Sequence, residues 1–230
     1  MTIDANKKIK FVHMPKCAGS SISKYFKKHS NATILHHYKK INDDHLNNDT
    51  MWVSNIRNPF EIYPSFWIYR SYGHDKKNFC FEHLPENCKS SPNATLKSKK
   101  EAFKNWLNFM ILDYKSPGNN FKGGKIDFGL VTQWAIIYWF GRNKALFESE
   151  YLNTPDKNYV ITNYIRKEHI EYDLKEILGT NSDIIVPSEN KGKEIIDYRE
   201  FFDKEMIEMI YSKDIYIFKK FKYDIESYFK

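Results

Sequence analysis

In this 230-residue chain, three groups of side chains have the type and spacing for chemistry on an anion. The first is Pro15-Lys16-Cys17-Ala18-Gly19-Ser20-Ser21. Small residues let backbone approach a ligand closely. The amides of such a turn and the start of a following helix direct partial positive charge outward, and Lys16 adds a full one. Phosphate binding is the better reading of these residues; the plain alternative is a tight turn whose lysine faces water. Lys16 precedes Gly19, whereas the Walker loop carries its lysine after the second glycine, so an ordinary ATP or GTP loop is not supported. The second group is Arg57-Asn58-Pro59 with Ser65 further on. A guanidinium grips phosphate through paired charge-assisted hydrogen bonds, and a hydroxyl two turns into a helix can reach the same group. Taken alone, these residues read equally well as a surface ion pair and a wet helix face. The third group is the doublet His36-His37. Imidazole is the side chain that exchanges protons nearest neutral pH, although a histidine bonded to backbone is the commoner arrangement.

The elements that must position these groups follow from the hydrophobic pattern. Residues 8–14 read as a strand, 15–20 as a turn and 21–29 as a helix with Ile22, Tyr25 and Phe26 at helical spacing. A second strand over 32–35 ends at His36-His37, and a third over 51–56 ends at Arg57. Asn58 suits an N-cap, Pro59 the first helical position and Glu61 a capping box, so a helix should begin there. Pro64 falls inside it and should kink it. Helical patterns cover 100–112 and 131–140, a strand pattern covers 158–165, and a helix over 168–178 closes on Gly179, a residue suited to a left-handed cap. Residues 198–228 carry apolar positions at mostly helical spacing. Strands alternating with helices imply a parallel sheet wrapped on both faces, each chemical group lying where a strand stops.

Composition narrows the partners. Hydrophobic residues make up 41% and aromatic residues 17% of the chain, which excludes global disorder. The net charge of +7 favours anionic partners. A polar tract over 73–100 reads as a loop insertion in one domain spanning 1–230. No membrane-spanning run or signal peptide is visible, so the reading is of a soluble, cytoplasmic protein. Cys17, Cys80 and Cys88 are too few for a disulfide scaffold, which makes a reducing compartment the default, with Cys80 and Cys88 able to pair in an oxidising one. Cys80, His83 and Cys88 with His74 only loosely mimic zinc ligands, and no metal is expected. His13 and His45 read as ordinary histidines. Basic runs such as Lys97-Ser98-Lys99-Lys100 and Lys219-Lys220-Phe221-Lys222 read as solvated faces or as a guide for an anionic acceptor, and most of the five tryptophans as core.

Together, the lysine turn and the arginine group resemble the sulfotransferases that use 3′-phosphoadenosine 5′-phosphosulfate (PAPS), in particular their carbohydrate branch. Lys16-Cys17-Ala18-Gly19-Ser20-Ser21 is similar to that family's Pro-Lys-Thr-Gly-Gly-Thr-Ser loop, and Arg57-Asn58-Pro59 with Ser65 to its Arg-Asn-Pro motif with serine at the same offset. The likeness continues in the segment from Arg166 through Glu168 to Asp173, similar to Arg-x-Glu-x-Leu-x-x-Asp, in Pro187 and Asn190, and in Tyr211 to Phe218, similar to a closing Tyr-x-x-Asp helix. It departs at Ile62, where relatives often carry arginine, and at Cys17, where they carry threonine.

The resemblance implies a three-layer, P-loop-NTPase-like α/β fold and transfer of a sulfuryl group from PAPS to a hydroxyl acceptor, a glycan or small molecule rather than nucleic acid. It implies that Lys16, Cys17, Ala18, Gly19, Ser20 and Ser21 hold the 5′-phosphosulfate and Arg57 and Ser65 the 3′-phosphate, with Lys191 and Gly192 closing over it. His37, then His36, is implied as the base that takes the acceptor's proton, with Lys16 neutralising charge on the leaving oxygen. The alternatives are a phosphotransferase using an ordinary nucleotide and a non-catalytic binder of nucleic acid or anionic glycan.

Overall fold

The computed structural model describes residues 8–35, 50–71, 84–113, 128–140, 147–148, 161, 163–187 and 197–229. They fall into two compact units, one drawn from Met1–Arg57 and Trp134–Lys193, the other from Asn58–Asn120, Ile126–Gln133 and Glu194–Lys230. The strands are β1 (Lys8–Val12), β2 (Thr33–Leu35), β3 (Thr50–Ile56) and β4 (Asn163–Arg166). Among the described residues the helices are α1 (Gly19–His29), α2 (Pro59–Ser71), α3 (Leu96–Asn108), α4 (Leu130–Trp139), α5 (Ile170–Leu178), α6 (Lys204–Lys213) and α7 (Ile215–Phe221). None is long and apolar enough to cross a membrane.

The first unit is α/β. Its four strands form one sheet in the order β2-β1-β3-β4, every neighbouring pair parallel, as the alternation of strands and helices implies. Val53 pairs with Phe11, and Phe11 with Ile34, so side chains at those positions share a face. That face buries Phe11, Met51, Val53 and Ile165 against Ile22, Tyr25 and Phe26 of α1 and Leu174 and Ile177 of α5. On the opposite face Ser54 donates to the Val12 carbonyl (2.8 Å) and accepts from the Trp139 indole of α4 (2.8 Å), whose ring meets Tyr164 edge-on. Helices thus cover both faces. From Met51 to Ile56, β3 is wholly buried, as a central strand of a parallel sheet must be. Gly179 caps α5 with φ 60° and ψ 34°, the left-handed conformation its sequence position suggests.

The second unit is helical around aromatic packing. Trp67, Phe103, Trp106 and Phe201 meet as edge-to-face or stacked rings, and Phe60 packs on Phe202, Phe218 and Tyr228. Asn58 caps α2 as expected, its Oδ1 accepting from the Phe60 amide (3.0 Å). The helix runs on through Pro64 to Ser71, with Pro64 buried. The polar tract is less loop-like than its composition suggests. The Thr95 hydroxyl accepts from the Ser98 amide and starts α3 at Leu96, with Ala102, Phe103, Trp106 and Leu107 forming the buried side. Residues 198–228 are two helices flanked by 3-10 turns, divided at Asp214.

Asp214 is fully buried in this unit. Its carboxylate accepts from the Tyr63 hydroxyl (2.7 Å) and the Thr132 amide (2.7 Å), and the Tyr63 oxygen accepts from the Leu130 amide (2.8 Å). A Cβ on Gly129 would overlap that carboxylate, which explains glycine there. Burial raises the Asp214 pKa from 3.8 to about 6, the Tyr63 and Thr132 donors offsetting part of the rise.

Candidate functional site

The candidate site of the first unit lies at the carboxyl ends of β1 and β3. The chain leaves β1 for β2 on one side, while β3 lies on the other, so β1 and β3 flank the topological switch point. Open parallel sheets hold ligands in the crevice outside such a point. A turn over 15–18 follows β1 and leads into α1, and Arg57 follows β3 directly.

The turn has an unusual backbone. Lys16 and Ala18 both have φ 60°, although neither is glycine. The left-handed region costs such residues roughly 1–2 kcal/mol each, and it persists only where the surroundings impose it. Asn55 of β3 supplies the restraint. Its Oδ1 accepts from the Met14 amide (2.7 Å), and its Nδ2 donates to the carbonyls of Met14 (3.1 Å) and Cys17 (2.6 Å). The amide group therefore ties together the residues on either side of Pro15-Lys16. Beyond it, Ala18 begins α1 with no side-chain cap, and no acidic residue lies in the helix's first turn. The amides at this helix start are thus the type of donor that attracts anions.

Cys17 faces inward. Its side chain is fully buried and its S–H donates to the Pro15 carbonyl (3.2 Å). Burial pushes the thiol well above its ordinary pKa, and the Glu168 charge adds to this, outweighing the lowering by Arg57, Lys16 and the Arg57 amide. The group is a neutral thiol at neutral pH and not a nucleophile. What this position can offer a ligand is backbone.

Gly19 is required by close approach. A Cβ built there would overlap the imidazole of His13, the residue that follows β1. His13 reads from sequence as an ordinary strand histidine, yet it lies against the first residue of α1. Gly19→Ala is expected to lower stability by about 1–3 kcal/mol, because the ring or the turn must shift. His13→Ala in the same chain should recover most of that loss. Urea denaturation of the two single variants and the double variant checks this coupling.

Arg57 is 8% exposed, and its Nη1 approaches the Lys16 carbonyl at 3.4 Å. The lysine turn and the arginine therefore meet at the switch point. Lys16 and Ala18 are half-buried, Ser20 is exposed, and Gly19 and Ser21 are buried. Ser65 is a half-buried residue of α2 in the second unit. At the end of β4, Arg166 holds the buried Asp173 through Nε (3.0 Å), Nη2 (2.6 Å) and its own amide (2.7 Å). The two ends of that family-like segment thus form a clip between β4 and α5. Glu168 between them is exposed. Cys88 is a buried free thiol. His36, His37, Lys191 and Gly192 lie outside the described residues, as do Asn190, Cys80, His83, His74 and His45.

Asn55 and His13 are the residues that sequence reasoning passed over. For Asn55 a signal existed: a side-chain amide inside a largely apolar strand, two residues before Arg57, must find partners when buried. Comparison with family models, with curated proteins and with solved structures returns no match.

Proposed function

We propose that this protein is a PAPS-dependent sulfotransferase that moves a sulfuryl group to a hydroxyl acceptor of the carbohydrate class. One observation carries the reading: the Lys16 turn and Arg57 meet at the switch point of a parallel sheet, the Arg57 guanidinium touching the Lys16 carbonyl. The donor set suits a doubly anionic ligand, because it consists of backbone amides at an uncapped helix start, one ammonium and one guanidinium. In this reading the amides of residues 17–21 and the Lys16 ammonium hold the 5′-phosphosulfate. Arg57 holds the 3′-phosphate, with Ser65, Lys191 and Gly192 assigned to the same phosphate by resemblance.

PAPS supplies the sulfuryl group. The acceptor oxygen forms a bond to sulfur as the bond from sulfur to the bridging oxygen breaks, and the acceptor's proton passes to the imidazole of His37, with His36 the second choice. Lys16 offsets the charge that collects on the departing phosphate oxygen. Cys17, a buried neutral thiol, takes no proton and makes no covalent bond.

Thermal shift separates this reading from its rivals. Adenosine 3′,5′-bisphosphate is expected to raise Tm more than equal concentrations of ATP, ADP or an oligonucleotide, and Arg57→Ala should remove that preference. A ligand at a hundred times its Kd adds about 2.7 kcal/mol, which is readily measured. Preference for ATP would indicate a phosphotransferase, and preference for the oligonucleotide a nucleic-acid binder.

A further inference from the structure

We infer that Asn55 is a positioning residue, the clamp that holds the Lys16 turn in its anion-binding shape; the assigned ligand, though not the clamp itself, rests on the function proposed above. Lys16 and Ala18 stand in left-handed backbone that neither residue favours, so something must impose it. Arg57 contributes one long contact, from Nη1 to the Lys16 carbonyl at 3.4 Å. Within the turn the Cys17 thiol, a weak donor, reaches the Pro15 carbonyl, and the first helical bond runs from the Ile22 amide to the Ala18 carbonyl. Asn55, 0% exposed, adds three bonds from a neighbouring strand, and they fall on Met14 and Cys17, on either side of the strained Lys16. A carboxamide suits this position because it donates and accepts from one planar group. Aspartate there could not donate to the two carbonyls, and leucine would orphan them along with the Met14 amide.

A clamp differs from an ordinary core bond in what its loss changes. The Trp139 indole bond to Ser54 lies on the other face of the same strand and touches none of residues 14–17, so Trp139→Phe is the matched control. In full-length protein, affinity for adenosine 3′,5′-bisphosphate by calorimetry is expected to fall at least tenfold in Asn55→Ala and less than twofold in Trp139→Phe. A second readout needs no ligand. Cys17 is buried while the turn keeps its shape, so iodoacetamide labelling resolved to that residue by mass spectrometry should quicken at least tenfold in Asn55→Ala and stay near wild type in Trp139→Phe. Equal Cys17 labelling in the two variants would overturn the clamp, as would unchanged bisphosphate affinity in Asn55→Ala. If wild type does not bind the bisphosphate, the functional reading fails and the labelling result alone decides the clamp. Should Asn55→Ala not fold, amide exchange in wild type decides: the Met14 amide, beyond the last residue of β1, should be protected like the β1 amides, and fast exchange there would sink the proposal.

Discussion

Under the proposed function, Lys16→Ala is expected to lower sulfate transfer from PAPS by roughly 10²–10³-fold, the scale seen when one fixed group that stabilises developing charge is removed. Tm should move little, because the Lys16 side chain is half-buried and the turn is held through backbone atoms of Met14 and Cys17. The loss should appear in kcat more than in KM, since charge on the bridging oxygen builds in the transition state and is smaller in the bound substrate. Lys16→Gly sharpens the test. Glycine removes the same ammonium but adopts φ 60° without penalty, so this variant should be at least as stable as wild type and as inactive as Lys16→Ala. Steady-state assay with labelled PAPS and a panel of hydroxyl acceptors provides the measurement. A kcat within threefold of wild type in either variant would remove Lys16 from the mechanism. In the same assay His37→Ala should lose more activity than His36→Ala, and the reverse order would exchange their roles.

Asp214→Ala should cost about 3–5 kcal/mol, because it leaves the Tyr63 hydroxyl and the Thr132 amide buried without an acceptor. For a chain of this length that corresponds to a Tm roughly 10 °C lower. Asp214→Asn separates packing from charge. The folded Asp214 pKa of about 6 lies above its ordinary 3.8, so the folded state binds this proton more tightly than the unfolded state does. The resulting stability is fully present below about pH 4 and is lost as pH rises to about 6. Wild type minus Asp214→Asn should therefore fall by roughly 3 kcal/mol across that window and stay flat above it. Urea unfolding monitored by tryptophan fluorescence at pH 4, 5, 6 and 7 tests the slope. A difference that rises with pH would mean that the carboxylate is favoured in the folded protein, the opposite of what its burial dictates.

Local rules made much of the fold legible in the sequence. The period of Ile22, Tyr25 and Phe26 marked α1, Asn58-Pro59 marked the start of α2, and Gly179 marked the end of α5, because capping and helical spacing act over a few residues. The strand-turn-helix context of Lys16 and the strand-end position of Arg57 were readable for the same reason. Where one local rule opposes another, composition misleads: the polar residues at 96–99 suggest a loop, although the Thr95 cap and the apolar side beginning at Ala102 make them helix.

By itself, the sequence determined the parallel α/β character of the sheet unit and the two cationic groups at its strand ends, since both follow from residue type and short-range spacing. Only the tertiary structure decided that β1 and β3 are neighbours, that Arg57 reaches the Lys16 carbonyl, that Cys17 turns inward and that Asn55 braces the turn. Apart from the Cys17 thiol's bond to Pro15, those contacts join residues about forty positions apart, and strand order depends on the competition among whole packing arrangements, which no short window of sequence contains.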